Sequence, residues 1–113
     1  MKFGLSKQTL EKIEGVFAKH PEIEQVILYG SRARGHYKNG SDIDLTFVGN
    51  AALTHFSLNQ VMDEIDDLLL PYSFDYSLLN QIEDPDLLAH IQNVGVLFYQ
   101  QKQHTSAPVE VMA

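Results

Sequence analysis

Cysteine is absent from all 113 residues. That excludes disulfides, thiolate metal sites and a cysteine nucleophile, and it fits a cytoplasmic protein. Basic residues are scarce: 8 Lys and Arg stand against 15 Asp and Glu, for a formal net charge of −7. Duplex nucleic acid is therefore a poor partner, because binding a duplex needs a basic footprint. No apolar run approaches the ~20 residues of a membrane span, and no signal peptide opens the chain. Internal repeats and low-complexity tracts are also missing. His20, His36, His55, His90 and His104 show no ligand-like spacing, so each reads as structural or solvated and no zinc site follows. Neither a Walker loop nor a dinucleotide fingerprint occurs.

Hydrophobic residues make up 44% of the chain and charged residues 20%, enough for one modest core in one domain. Residues 6–19 read as a helix capped by Ser6, with Leu10, Ile13, Val16 and Phe17 as its apolar stripe and Pro21 as its stop. Residues 54–70 carry the longest helical pattern. Leu58, Val61, Met62, Ile65, Leu68 and Leu69 line one side, Thr54 caps it and Pro71 ends it. Asp63, Glu64, Asp66 and Asp67 make the outer side of this helix acidic, which reads as a solvated face. Asp84 followed by Pro85 starts a further helix, with Leu87, Leu88, Ile91 and Val94 inward and Gly95 placed for a left-handed cap. Strand-like runs cover 22–29, 42–48, 72–79 and 96–99. The expected fold is α+β: a small mixed sheet of about four strands with helices packed on one face. Residues 1–100 form the domain and 101–113 a flexible tail.

Residues 29–45 organise the rest. After the apolar run Val26, Ile27 and Leu28 comes Gly30–Ser31, then Arg32, Arg34, His36 and Lys38, the chain's sole basic concentration. Asn39 and Gly40 mark a turn. Asp42, Asp44 and Thr46 then alternate with Ile43, Leu45 and Phe47. Alternation in a strand puts both carboxylates on one face and the apolar three on the other. Paired carboxylates repel unless a cation lies between them, and Mg²⁺ prefers such oxygen ligands. The Gly30–Ser31 turn can offer backbone N–H groups and a hydroxyl to phosphate. Asp75 sits in the middle of an aromatic strand, Phe74 to Tyr76, where a carboxylate needs a reason. If that strand lies beside 42–48, Asp75 becomes a third carboxylate next to Asp42 and Asp44. The pattern points to metal-dependent phosphoryl or nucleotidyl transfer. Asp42, Asp44 and Asp75 hold two Mg²⁺ ions; Gly30, Ser31, Arg32 and Arg34 take the nucleotide.

Gly30-Ser31-Arg32-Ala33-Arg34-Gly35, followed by Ser41-Asp42-Ile43-Asp44-Leu45 and later Asp75, resembles the DNA polymerase beta nucleotidyltransferase superfamily. More narrowly it resembles the minimal nucleotidyltransferases, MntA-type antitoxins paired with HEPN-domain toxins. The resemblance covers about residues 5–100. It implies transfer of AMP from ATP, with Mg²⁺, to a tyrosine of a partner HEPN ribonuclease, which silences that toxin. Larger members add a domain that holds the acceptor; 113 residues leave no room for one, so a partner protein would present its own hydroxyl. Two alternatives stand beside this: an antitoxin that neutralises by association alone, and a transferase with a small-molecule acceptor.

Overall fold

The strands at the centre of the computed structural model follow from the alternation in residues 43–47. The structure describes residues 1–38 and 40–102. Ile43, Leu45 and Phe47 are fully buried on the strand β2 (Ile43–Gly49). β2 pairs antiparallel with β1 (Ile23–Tyr29) and parallel with β3 (Phe74–Leu78). β4 (Val96–Gln100) pairs antiparallel with the other edge of β1. The order across the mixed sheet is β3-β2-β1-β4. Among the described residues it has four strands, as the periodicity predicts.

Two helices cover one face. α1 (Lys7–Ala18) is capped by the Ser6 side chain, which accepts from the Thr9 N–H. Its Ile13, Val16 and Phe17 are buried. After the short α2 (Ser31–Arg34) comes α3 (His55–Asp66), with a reciprocal cap between Thr54 and Ser57. α3 is the crossover between β2 and β3, which is why those two strands run parallel. Phe17 stands edge-on to Phe47 at 5.4 Å, tying α1 to β2. Each such fully buried side chain contributes roughly 1.5–3 kcal/mol.

Two details differ from the sequence reading. α3 stops at Asp66, four residues before the expected end. Leu69 takes a left-handed φ of +56° and is exposed, while Leu68 and Leu70 pack against the core. The run Leu68–Leu70 thus continues as an alternating turn in place of a helical stripe. Gly95 ends α4 (Pro85–Val94) in extended backbone, not in a left-handed cap. Glycine is needed there for space: a Cβ would collide with the Ile91 carbonyl oxygen and approach Ile27 Cγ2.

α4 refines the layer plan. Its cap is the expected one, with Asp84 accepting from the Asp86 N–H at 2.9 Å and Pro85 in the first turn. The helix approaches Ile27 and Tyr29, residues whose parity in β1 is opposite to that of the buried Val26 and Leu28. So α4 flanks the face away from α1 and α3. From residue 103 onward the anticipated tail, with His104, lies outside the described residues, as does Asn39.

Candidate active site

Gly30 joins the end of β1 to α2 with φ +78° and ψ −157°, a conformation essentially restricted to glycine. A Cβ at Gly30 would also collide with the Asp44 carboxylate. Both the backbone angle and the close approach of β2 therefore demand the missing side chain. The strand register explains that approach: Tyr29 lies opposite Asp44, and Asp44 lies beside Asp75. Neighbouring strands stand about 4.8 Å apart, and paired positions share a face. Asp42 lies just before β2, two residues from Asp44.

Asp44 feels both neighbouring carboxylates. Burial raises the Asp44 carboxyl above its ordinary value, the negative charges of Asp75 and then Asp42 push it further, and His90 opposes them. Asp42 and Asp75 are exposed and Asp44 is half-buried. The neighbouring Tyr29 hydroxyl is also raised, by burial first and then by Asp75 and Asp44, against the lowering contact with Ser77. Asp75 thus faces the same side as Asp44, at its elbow.

Arg32 and Arg34 part company. Arg34 ends α2 exposed to solvent. Arg32 is 3% exposed. Its Nε and Nη2 donate to the Ser41 carbonyl at 3.0 and 2.9 Å, and Nη1 donates to the Phe3 carbonyl at 2.9 Å. Its guanidinium also lies against the rings of Tyr37 and Tyr72. Arg32, expected at the nucleotide, instead places its guanidinium on backbone carbonyls inside the protein. A sequence cannot tell an arginine that faces a ligand from one that faces its own loop.

His90 enters the site without having been anticipated there. Its Nε2 accepts from the Gly30 N–H at 3.2 Å, and its ring stands edge-on to Tyr29 at 6.1 Å. The amide expected to meet phosphate is thus satisfied from α4. Spacing offers a partial signal, since His90 lies three residues after Leu87 and four before Val94, on the packed side of α4. Nothing local says which strand that side meets. Tyr29 was more accessible to reasoning, because its parity in β1 already opposes Val26 and Leu28.

Residues 11–104 match the family described as Polymerase beta, Nucleotidyltransferase. The chain belongs to that family. No curated protein sequence matches it. Solved structures extend the likeness in fold. A toxin–antitoxin crystal structure with AMP-PNP superposes with a TM-score of 0.64 at 18% identity, covering 88% of this chain and 77% of the other. A chain of the MntA–HepT toxin–antitoxin gives 0.61 at 16%, covering 87% and 75%. The tri-AMPylated Shewanella oneidensis HEPN toxin in complex with MNT antitoxin gives 0.61 at 16%, covering 88% and 76%.

Members of the polymerase beta nucleotidyltransferase family imply a divalent metal, and the donor set here fits one. Three carboxylates would offer hard oxygen ligands, and the Asp44 carboxyl, raised first by burial and then by Asp75 and Asp42, would be relieved by a cation. Among the described residues no three acidic or histidine side chains are already closed into an ion-holding cluster. In this nucleotidyltransferase the strand register brings Asp44 and Asp75 side by side, with Asp42 two residues before Asp44.

Proposed function

We propose that this nucleotidyltransferase transfers AMP from ATP to a tyrosine hydroxyl of a partner HEPN ribonuclease, as that toxin's antitoxin. The observation that carries the reading is the meeting of Gly30 with the Asp44 carboxylate, beside Asp75. It joins a glycine turn to carboxylates on one face. Support for the acceptor comes from the structural neighbours, one of which is a tri-AMPylated HEPN toxin bound to its MNT antitoxin. The net charge of −7 suits a basic, RNA-cleaving partner in the cytoplasm.

Asp42, Asp44 and Asp75 would hold two Mg²⁺ ions. When bound, these supply charge neutralisation at the phosphates and activation of the acceptor oxygen. The protein's own residues do the rest. Ser31 and the Gly30 amide take the terminal phosphates, which replace His90 as the acceptor of that N–H. Arg34 balances charge on the leaving group. Asp75, exposed at the sheet edge, takes the tyrosine proton as the hydroxyl oxygen bonds to the α-phosphorus. The bond from that phosphorus to the β-phosphate oxygen breaks and pyrophosphate departs. Residues 1–100 are the working unit.

The test uses ATP labelled at the α-phosphate, Mg²⁺ and the product of the neighbouring gene, expected to be a HEPN protein. Label should appear on a tyrosine of that protein and vanish with Asp42→Asn. A toxin silenced without label would show neutralisation by association. Label on a small-molecule hydroxyl, with none on the toxin, would move the acceptor away from protein.

A further inference from the structure

The arginine that fails to face a ligand has another use. Its three donor contacts end on two segments distant in sequence, the amino-terminal turn at Phe3 and the loop end at Ser41. Ser41 is the residue before Asp42. The two rings that flank the guanidinium belong to the same loop, Tyr37, and to the entry of β3, Tyr72. Tyr72 precedes Ser73, whose carbonyl accepts the Ile43 N–H at 2.9 Å. That bond is the first rung joining β2 to β3. Gly4 belongs to the same arrangement: a Cβ there would collide with the Tyr37 ring and sit 2.9 Å from Arg32 Nη1.

We propose that Arg32 is a positioning residue, a brace that clamps the starts of β2 and β3 so that Asp42, Asp44 and Asp75 face a common point. A guanidinium this deep is costly unless its N–H groups are satisfied. Here carbonyl oxygens satisfy the fork and two aromatic faces cover its plane. Lysine cannot reproduce this, because a single ammonium lacks the planar fork and stacks poorly. Arg32 thus bonds the carbonyl just before Asp42 and packs on Tyr72, three residues before Asp75, while Phe3 anchors its third contact. Loosening the brace would leave the core intact and blur the acidic site. The inference rests on the nucleotidyltransferase reading for what the aspartates do, but the clamp itself is a structural statement.

Two measurements on the full chain separate these levels. The first is amide hydrogen exchange without metal. In Arg32→Met, exchange at Ser41 and Ile43 should quicken about tenfold, the equivalent of one lost hydrogen bond, while Val26 and Phe47 stay as in wild type. Exchange unchanged at Ser41 and Ile43, or quickened equally throughout the sheet, would overturn the brace. The second is Mn²⁺ binding by electron paramagnetic resonance. Affinity should fall about tenfold in Arg32→Met, and Arg32→Lys should recover only a minor part. Val61→Ala, which loosens α3 without touching Arg32, should bind Mn²⁺ like wild type. Loss of ATP affinity in Arg32→Met with Mn²⁺ affinity unaltered would instead make Arg32 a phosphate contact and refute the proposal. Wild-type protein that binds no Mn²⁺ would refute the proposed function, and the exchange pattern would still decide the brace.

Discussion

The two faces of β2 contrast sharply although they alternate residue by residue. Ile43, Leu45 and Phe47 are sealed beneath α1 and α3. Asp44, on the opposite face, is half-buried, beside Asp75 and against Gly30, within reach of the charge of His90. One strand therefore serves cohesion on one side and chemistry on the other. The first side gains from being dry. The second accepts burial of a carboxylate beside two others, which His90 offsets within the protein and a cation would offset further. Substitutions on the two faces should consequently fail in different assays.

The largest effect is expected on the acidic face. Asp44→Asn should cut nucleotidyl transfer on the order of 10³-fold by removing a central ligand, with the far-ultraviolet spectrum unchanged. Activity retained within tenfold would break the division between faces. On the dry face, Phe47→Ala should cost about 3–5 kcal/mol in denaturant unfolding, since it deletes a fully buried ring stacked edge-on to Phe17. Its residual folded fraction should keep wild-type affinity for Mn²⁺.

Gly30→Ala tests the seam between the faces. Alanine must adopt the glycine-only backbone angle and press on Asp44, at a cost of roughly 1–3 kcal/mol. ATP affinity should fall more than stability does, as isothermal titration would show. A variant with normal affinity would mean that the turn and the carboxylate are not coupled.

The smallest effect carries an unusual sign. The Asp44 carboxyl is raised in the folded chain by burial and by its acidic neighbours, so the folded state keeps this proton to higher pH than the unfolded state does. The stability linked to it is present below the ordinary carboxylate value and is lost as pH rises through the raised one. Metal-free Asp44→Asn should therefore melt above wild type at neutral pH, with the gap closing toward about pH 3. Thermal melts across that range check this; a mutant that melts lower at neutral pH would show that the carboxylate is already compensated within the protein.

Most of this division was readable from periodicity. The parity of residues 42–47 separates the faces before any strand pairing is known, and the caps at Ser6, Thr54 and Asp84 lie where side-chain chemistry puts them. Asp75 announced itself as a carboxylate inside an aromatic strand, and the register then set it beside Asp44. What stayed hidden depends on contacts between segments far apart in sequence. Arg32 looked like a phosphate ligand because local reasoning sees its charge and not the carbonyls of Phe3 and Ser41. His90 read only as structural or solvated because no local pattern says that α4 reaches Gly30. Gly95 looked like a left-handed cap because helix-end glycines often are, whereas here the demand is for space against the Ile91 carbonyl and Ile27.

The central claim is that Asp42, Asp44 and Asp75 converge on divalent cations at the Gly30–Ser31 turn. Titrating substoichiometric Mn²⁺ into the ¹⁵N-labelled protein, and following paramagnetic broadening of assigned amides, tests it most directly. Signals of Gly30, Ser31, Asp44 and Asp75 should broaden first and together, and should stay sharp in Asp44→Asn. Broadening centred on the acidic outer face of α3, at Asp63 and Asp66, with the turn untouched, would contradict the account.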